Sequence, residues 1–378
     1  MQTRPRAKLA SVVVGLQRSK GRFLVLVVPL DSNPYQESLY EPMRTAHPDR
    51  LRLVFWRRRP WVGVLHFFPL AAWCSLKGPR IAHVHWLAWD LRLPVPGRAR
   101  VSGWLCRLGI WWLRVLRFRI IWTVHNVVPH EPQTDDDLAI VRQLARSSAA
   151  LIVHSSSVLK ALVANGVPAD NAVVIPQGSY IGLYGVSPTW QDARRTLGLP
   201  PVGRTVLFFG LIRPYKGIPD LLTAWSGGPF DGTLVIAGSC PDPNLRAEIE
   251  ARTKDDPSIH IHLGFIPEAE VATYFSACDC TCFPFRDITT SSSALLALSF
   301  GKPLIAPRLG SLEDIPDAVG YFYDGEADHG LTGALEKFFS TDSAELQHRS
   351  QLGLAYAATL GWPAIAEKTF ELYAMIVE

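Results

Sequence analysis

The chain has 378 residues, more than a single hydrophobic core usually supports, so its length favours two domains. Hydrophobic residues make up 48% and charged residues 19%, which is typical of a globular protein, and no apolar run reaches the ~20 residues of a membrane-spanning helix. Residues 1–122 carry 21 Lys and Arg against 5 Asp and Glu and nine of the twelve Trp, whereas the remainder carries 17 against 29. This basic, tryptophan-rich half favours an anionic membrane surface or a large anionic substrate, and no nucleic-acid-binding motif accompanies it.

Strands and helices alternate along the first half of the chain. Residues 1–21 form a basic leader without a recognisable cleavage site, which we expect to be mobile rather than a secretory signal. Strands are predicted at 23–30, 51–55, 81–86, 120–125, 150–154 and 172–176, with helices at 36–46, 101–116, 135–146 and 156–164. This alternation predicts an α/β domain with a parallel, doubly wound sheet over residues 22–185.

The same alternation returns after a Gly- and Pro-containing linker at 179–202. Strands are predicted at 205–209, 233–237, 259–263, 278–283 and 303–306, with helices at 218–224, 243–253, 267–277, 292–300 and 330–339. We therefore expect a second domain over residues 203–361, and a final helix within 362–378 that packs back on the first domain. The fold predicted is α/β, with two doubly wound Rossmann-like domains facing a central cleft.

A loop of the second domain has the composition of an anion site. The segment Phe208-Phe-Gly-Leu-Ile-Arg-Pro-Tyr-Lys-Gly217 ends a buried strand in glycine and places Arg213 and Lys216 ahead of a helix. Ligands of open α/β sheets bind beyond the carboxyl ends of strands, where helix N-termini offer free N–H groups to anions. Arginine can fork two phosphate oxygens and lysine supplies a point charge, so the loop suits a diphosphate. The alternative is a pair of solvated charges on a turn.

Two other clusters resemble metal motifs but favour structural interpretations. Cys278, Cys280 and Cys282 alternate within a strand-like run, so we expect buried strand cysteines rather than metal ligands. The run Asp135–Asp137 precedes an apolar-periodic helix, and acidic residues that complement a helix N-terminus explain it better than a metal site. No metal is therefore predicted.

Several motifs together give the chain a family resemblance. From residue 121 to residue 303 it resembles nucleotide-sugar glycosyltransferases of the GT-B fold, in particular the bacterial family-4-like enzymes of exopolysaccharide and lipid-linked oligosaccharide synthesis. The matching segments are 121–131 (IWTVHNVVPHE), 152–155 (IVHS), 174–178 (VIPQG), 208–217, 263–267 (LGFIP) and 289–303. The resemblance implies transfer of a hexose from a GDP- or UDP-linked sugar, with mannose as the suggested sugar, to a lipid-linked saccharide acceptor. It implies neither a metal nor a cofactor.

The resemblance assigns donor-binding roles in the second domain. Arg213 and Lys216, after Gly210, would neutralise the diphosphate, whose charge grows as the sugar–phosphate bond breaks. The loop of Gly264, Phe265 and Ile266 would offer backbone groups to the base. Hydroxyls and free amides at the start of a helix would meet the phosphates or the sugar, although a helix-capping cluster explains the same residues, which are Ser291, Ser292 and Ser293.

Two departures from the family pattern bear on mechanism. Retaining members commonly carry E-x7-E before the Gly-Lys-Pro turn, and alignment on Gly301 places Ile288 and Leu296 at those positions. The arginine that usually follows the loop glycine is Leu211 here. These departures leave open a catalytically silent, membrane-associated scaffold of the same fold, or a sugar-nucleotide binding protein.

The catalytic candidates lie in the first domain. His125 ends a strand at the presumed cleft, and in related enzymes the matching histidine approaches hydroxyls of the donor sugar; the alternative is a core histidine. Glu131 could act as general base on the acceptor hydroxyl, which would give inversion, and Asp31, just after the first strand, is the competing base. Retention or inversion therefore stays open at this point.

A basic, aromatic helix in the first domain predicts contact with a membrane. Three arginines are expected within about 80° of its circumference, and a basic amphipathic helix can lie in an anionic interface. The alternative is a connecting helix packed on the sheet. We expect a protein peripheral to the inner, cytoplasmic face of the plasma membrane. The residues assigned to this acceptor and membrane surface are Trp104, Arg107, Trp111, Arg114 and Arg117.

Overall fold

The fold was established from a computed structural model that describes residues 22–31, 34–57, 63–86, 98–127 and 136–377. The predicted leader 1–21, the candidate base Glu131 and the first aspartate of the 135–137 run lie outside the described residues. Within the described ranges the chain forms two parallel six-stranded sheets.

The first sheet has the strand order β2-β1-β3-β4-β5-β6. Its strands are β1 (Phe23–Leu30), β2 (Leu51–Arg57), β3 (Arg80–Val84), β4 (Arg119–Val124), β5 (Ser148–Val153) and β6 (Ala172–Val174). The connecting helices are α1 (Pro34–Ala46), α2 (Gly63–Ser75), α3 (Arg98–Val115), α4 (Asp137–Ser147) and α5 (Ser156–Ala164). Near-continuous apolar strands such as β1 are buried on both faces because helices cover each side of a parallel sheet.

The second sheet has the strand order β12-β11-β10-β7-β8-β9. Its strands are β7 (Arg204–Phe209), β8 (Gly232–Ala237), β9 (Ile259–His262), β10 (Cys280–Cys282), β11 (Leu304–Pro307) and β12 (Gly320–Tyr323). The helices from the linker onward are α6 (Trp190–Leu197), α7 (Ile218–Gly227), α8 (Pro243–Thr253), α9 (Glu268–Ala277), α10 (Ser292–Ser299), α11 (Gly330–Ser340), α12 (Ser343–Ala358) and α13 (Trp362–Val377).

Each sheet has a point where its strand order reverses. The reversal falls between β1 and β3 in the first sheet and between β7 and β10 in the second. Ligands of doubly wound sheets bind in the crevice outside the carboxyl ends of the strands at such a point. The loops that follow β1, β3, β7 and β10 are therefore the places to look for a site.

The predicted fold class is confirmed, and among the described α-helices and strands the prediction missed α2, α12 and β12. Helix α2 carries Pro69 in its interior and is apolar on most sides, so it lacks the polar face that reveals a helix in sequence. Helix α12 is only weakly amphipathic, and β12 is a four-residue strand, Gly-Tyr-Phe-Tyr. The predicted burial of Cys278, Cys280 and Cys282 is confirmed, but only Cys280 and Cys282 lie in a strand, because Cys278 is the C-cap of α9.

A buried arginine fixes the linker helix α6 to the second sheet. Arg194 is 1% exposed, and its guanidinium donates to the carbonyls of Ala277, Pro200 and Val202. It also donates to Asp279 at 3.0 Å and to the hydroxyl of Thr205, while its Cζ lies 3.9 Å from the centroid of the ring of Trp190. The charge is tolerated inside the protein because every side of it meets a partner.

The last helix, α13, returns to the first sheet. The ring of Phe370 stacks on Phe23 with centroids 5.6 Å apart, and Nε1 of Trp362 donates to the carbonyl of Ser179 at 2.7 Å. A Cβ atom at Gly178 would lie 2.3 Å from the indole of Trp362, so a glycine is needed where this ring crosses the backbone. Helix α13 thus joins the core of the first sheet.

Candidate active site

The loop after β7 lies at the reversal point of the second sheet. Gly210 has φ +131°, and a Cβ atom there would lie 3.0 Å from Oγ of Ser293 at the start of α10. Arg213 is half-buried and precedes the short turn Pro214–Lys216. Gly217 follows with φ +71°, where a Cβ atom would lie 1.9 Å from the carbonyl oxygen of Pro284. The two glycines allow the basic loop to pack against α10 and the segment after β10.

The ammonium of Lys216 lies among aromatic rings. Its Nζ is 4.1 Å from the centroid of Phe285 and 5.2 Å from that of Tyr215. Burial lowers the pKa of Lys216 to about 8 because the charged form loses water. The cation therefore still predominates at neutral pH, in a partly dry setting where its attraction for a phosphate is stronger than in water.

The three serines at the start of α10 divide their roles. Ser291 is the N-cap, and its Oγ accepts from the N–H of Ala294 at 3.1 Å, so the capping interpretation holds for this residue. Ser292 Oγ accepts from Nε2 of Gln177, which follows β6 of the first sheet, at 2.9 Å. Ser293 faces Gly210, as described above. The start of α10 therefore lies between the basic loop and the first domain.

The loop of Gly264, Phe265 and Ile266 follows β9, the edge strand beyond β7 and β8. Phe265 is 81% exposed, and the N–H of Gly264 donates to the carbonyl of His262 at 3.0 Å. This loop shares the carboxyl edge of the sheet with the basic loop but lies two strands away from it. A ligand that reached both would have to be extended.

Asp31 follows β1 directly and lines a cavity of about 630 Å³ between α1 and β2. The side chain of Gln36, 1% exposed, fixes this corner, since its Oε1 accepts from the N–H of Asp31 and its Nε2 donates to the carbonyl of Pro29. The carboxylate of Asp31 is exposed. Its backbone is thus held by Gln36 at the reversal point of the first sheet.

A row of histidines follows three neighbouring strands of the first sheet. His85 follows β3, His125 follows β4 and His154 follows β5, each directly after a valine. The ring of His125 lies 5.7 Å from His85 and 5.3 Å from His154, centroid to centroid. His125 therefore lies at a strand end, as predicted. Sequence reasoning did not assign a role to its two neighbours, His85 and His154. The repeated Val-His pair at three strand ends is the signal that could have revealed them.

Tyrosines from distant helices hold this histidine row together with His83, which lies in β3 two residues before His85. The hydroxyl of Tyr40 in α1 lies 2.7 Å from Nε2 of His85 and 2.8 Å from Nδ1 of His83. The hydroxyl of Tyr373 in α13 lies 2.5 Å from the same Nδ1. Tyr35 places its ring edge-on to His125 at 4.9 Å. The row is a packed, hydrogen-bonded unit rather than a set of mobile side chains.

Burial keeps these imidazoles neutral. Desolvation lowers the pKa of His83 to about 3 and that of His154 to about 4. The pKa values of His85 and His125 are also lowered well below the usual range, first by desolvation and then by the neighbouring histidines. At neutral pH the row offers hydrogen bonds without charge. Within the described residues no group of three His, Cys, Asp or Glu is placed to hold a metal ion.

The two domains meet beside this row. Asp314 Oδ2 accepts from the N–H of Ser156 at 2.8 Å and from that of Ser157 at 3.4 Å, at the N-terminus of α5. Together with the bond between Gln177 and Ser292, it ties the ends of β5 and β6 to the second domain. His154, immediately before α5, therefore lies on the side of the row nearest to the basic loop's domain.

The predicted basic face of α3 is wrong in its geometry. The helix ends at Val115, and Arg117 has φ +57°, so Arg117 is not on the helix. Arg107 turns toward α4 and donates to Asp136 at 2.7 Å. The outward stripe instead holds apolar side chains, with Arg114 exposed beside it. Its members are Val101, Trp104, Trp111 and Val115.

Comparison with known proteins gives the family of the second domain. Residues 203–340 match the family Glycosyl transferases group 1. This range contains the basic loop, the loop after β9 and the start of α10.

The chain carries a group 1 glycosyltransferase domain in a GT-B fold.

Relatives align well beyond this domain. The chain is 26% identical over 350 residues to the GDP-mannose:glycolipid 4-beta-D-mannosyltransferase of Xanthomonas campestris pv. campestris, covering 91% of this chain and 88% of that protein. It is 25% identical over 297 residues to the D-inositol 3-phosphate glycosyltransferase of Corynebacterium glutamicum (strain R), covering 72% and 68%. The expectation of a nucleotide-sugar glycosyltransferase, hence of a transferase enzyme, is confirmed.

Solved structures agree on the fold. Sucrose-phosphate synthase from Thermosynechococcus elongatus superposes with a TM-score of 0.75 at 20% identity, covering 94% of this chain and 99% of that one. Anabaena HepE in complex with UDP superposes with a TM-score of 0.70 at 17% identity, covering 94% and 100%. These likenesses establish two GT-B domains, and the site residues remain predictions.

Proposed function

We propose that this glycosyltransferase moves mannose from GDP-mannose to a lipid-linked saccharide in exopolysaccharide synthesis. The observation that carries the proposal is the 26% identity to the Xanthomonas campestris GDP-mannose:glycolipid mannosyltransferase, because the alignment covers 91% of the chain and therefore both domains. The basic loop supports this proposal, since Arg213 and the partly buried ammonium of Lys216 suit a nucleoside diphosphate.

The reaction proceeds with inversion at the sugar. The β linkage in the relative's name requires inversion, because the mannose of GDP-mannose is α-linked. The absence of the glutamate pair at Ile288 and Leu296 is consistent with this outcome. The acceptor hydroxyl oxygen attacks C1 of mannose, the bond from C1 to the diphosphate oxygen breaks, and GDP leaves with the electron pair.

The proton of the acceptor hydroxyl passes to the carboxylate of Asp31. This residue is favoured because Gln36 holds its backbone at the reversal point of the first sheet, beside a cavity large enough for a saccharide. Lys216 and Arg213 stabilise the charge that develops on the departing diphosphate. The N–H groups and hydroxyls at the start of α10 serve the same purpose, and the loop of Gly264, Phe265 and Ile266 receives the base.

The assay that tests this function supplies GDP-mannose or UDP-glucose with a polyprenyl-diphosphate-linked saccharide and follows sugar transfer. We expect transfer from GDP-mannose with a β-linked product. The Asp31→Asn variant should lose about 10²- to 10⁴-fold in kcat without a change in the donor KM. Glu37→Gln, which changes another carboxylate beside the same cavity, is the matched control. An α-linked product refutes inversion, and full activity in Asp31→Asn together with loss in Glu131→Gln moves the base to Glu131.

The acceptor's lipid requires contact with a membrane, and α2 and α3 supply it. In the described part of the chain no helix is both long and apolar enough to span a bilayer. The outward side of α3 exposes Trp104 at 61% and Trp111 at 51%, and Trp73 near the end of α2 and Leu76 just after it are exposed as well. Lys77 lies 4.9 Å from the ring centroid of Trp73. Apolar and aromatic side chains beside cations suit the interface of an anionic leaflet.

This surface makes the protein peripheral to the inner face of the plasma membrane. Flotation with vesicles containing anionic lipid tests the assignment. The wild type should float, and the Trp104→Ser/Trp111→Ser variant should remain largely in the unbound fraction. Leu354→Ser, which removes an exposed apolar side chain from the second domain, should float like the wild type. Equal flotation of the tryptophan variant and the wild type rejects α3 as the membrane contact.

A further inference from the structure

His154 carries a buried polar atom that the described residues leave unmatched. The side chain is 6% exposed, and its Nε2 has no hydrogen-bond partner within the described part of the chain. Buried polar side-chain atoms in native proteins are nearly always matched, because an unmatched one loses its hydration without compensation. The atom therefore calls for a specific explanation.

The hydrogen bond at the other ring nitrogen fixes the tautomer. Nδ1 of His154 lies 3.0 Å from the carbonyl oxygen of Ile175. A carbonyl can only accept, so Nδ1 carries the proton and donates it. Burial holds the ring neutral by lowering its pKa to about 4, and Nε2 of a neutral ring protonated at Nδ1 is a lone pair. The missing partner is accordingly a hydrogen-bond donor, such as a hydroxyl.

The surroundings of Nε2 narrow the class of donor. The ring of His154 lies 5.3 Å from that of His125 and 5.6 Å from that of Tyr35. Both neighbouring rings are uncharged at neutral pH, because the pKa of His125 is lowered and that of Tyr35 is raised by burial. A charged ligand group would lose its hydration here without meeting a countercharge. A sugar hydroxyl is neutral, so the hydrogen bond to Nε2 is enough to compensate for its lost hydration.

The position of His154 between the domains indicates which sugar supplies the hydroxyl. The residues on either side of it in space contact the second domain, since Asp314 binds the N-terminus of α5 and Gln177 binds Ser292 of α10. The same α10 faces Gly210 of the basic loop. In the strand order of the first sheet, β5 lies toward the end opposite to β1 and β2, beside which the proposed acceptor cavity opens. The donor sugar rather than the acceptor is therefore the expected source of the hydroxyl.

We infer that His154 is a specificity-determining residue whose Nε2 accepts a hydrogen bond from a hydroxyl of the transferred sugar. The inference rests on the proposed function, because it needs a nucleotide sugar at the basic loop. It adds to that function a contact that distinguishes the sugar nucleotide from the bare nucleotide. Within the row, His154 supplies an acceptor, and His125 forms the adjoining wall.

Two substitutions separate the roles of the two ring nitrogens. The amide nitrogen of an asparagine can take the place of Nδ1 and keep the bond to Ile175, so His154→Asn removes only the acceptor at Nε2. The longer glutamine can place its amide oxygen near the position of Nε2, so His154→Gln restores an acceptor. Calorimetry on the full chain measures the dissociation constants of GDP and GDP-mannose for each variant, and thermal unfolding verifies that each is folded.

The ratio of the two affinities is the decisive quantity. We expect His154→Asn to weaken the binding of GDP-mannose by roughly 3- to 10-fold, which corresponds to the loss of one neutral hydrogen bond. The affinity for GDP should be unchanged. His154→Gln should recover part of this loss. If the wild type binds both ligands and His154→Asn keeps the same ratio, the inference fails and the proposed function stands. A wild type that binds neither ligand refutes the proposed function itself.

Discussion

The ammonium of Lys216 should make nucleotide binding depend on pH in an unusual range. Its pKa is lowered to about 8 by burial among aromatic rings, so the free protein loses this charge just above physiological pH. If a diphosphate is bound through the ammonium, the bound state keeps the proton to a higher pH than the free state. The apparent dissociation constant should then rise by about tenfold for each pH unit above 8.

The magnitude at neutral pH follows from the type of contact. A charge-assisted hydrogen bond contributes about 1.5–3 kcal/mol. Lys216→Met should therefore weaken the binding of GDP by about 10- to 150-fold at pH 7. Lys216→Arg keeps the charge at every accessible pH, because a guanidinium does not lose its proton in this range. Its affinity at pH 7 should fall less, since Arg is bulkier but still cationic.

Calorimetric titration of GDP at pH 7, 8, 9 and 9.5 measures the effect, with Lys216→Arg as the reference at each pH. Any titration of the nucleotide itself cancels in the ratio of the wild type to this variant. We expect the ratio of dissociation constants to climb above pH 8. A ratio that stays flat over the series, or a Lys216→Met variant that binds like the wild type, shows that the ammonium does not contact the diphosphate.

Three further outcomes are expected. Arg194→Ala should lower the free energy of unfolding in urea by about 3–5 kcal/mol, because it leaves Asp279 and three carbonyls without their buried partner. The control Arg195→Ala, at an exposed neighbour, should change this free energy by less than ~1 kcal/mol. Equal losses in the two variants would contradict this account. The free energy of unfolding should also fall as the pH drops from 6.5 toward 4, by up to about 1.4 kcal/mol per pH unit for each buried histidine, because the unfolded imidazole (pKa about 6.5) takes up a proton that the folded one, at about 3 for His83 and about 4 for His154, does not. Urea titrations at pH 7, 6 and 5 check this slope, which should be smaller in His154→Asn and would be absent if the rings were already charged in the folded protein. Finally, Gly217→Ala should lose about 1–3 kcal/mol of stability to backbone strain and more to the clash of the new methyl group with Pro284. Gly203→Ala, at φ +87° with no atom within 4 Å, should show the loss from strain alone. Thermal unfolding compares the two variants, and an equal loss would mean that the loop relaxes around the new methyl group.

The sequence by itself determined the architecture and the position of the basic loop. Buried parallel strands are continuous apolar runs, and the helices between them follow N-capping residues, so β1, α5 and α8 could be predicted to the residue or nearly so. The basic loop at 208–217 was recognisable for the same reason, since its glycines and cations follow one another within ten residues. The elements missed, such as α2 with its internal proline, lack the periodicity on which such reasoning depends.

Contacts between distant segments were decided by tertiary structure alone. Tyr373 reaches His83 across 290 positions, and Asp314 reaches Ser156 across 158. Tertiary structure also decided the outward face of α3. The spacing of the arginines did not set which side chains meet water, because the helix ends before Arg117 and Arg107 pairs with Asp136. Local sequence encodes the propensity and the buried face of an element, but which faces meet depends on how the sheets and helices pack together. The histidine row, with its unmatched Nε2, exists only because three separate strands end side by side.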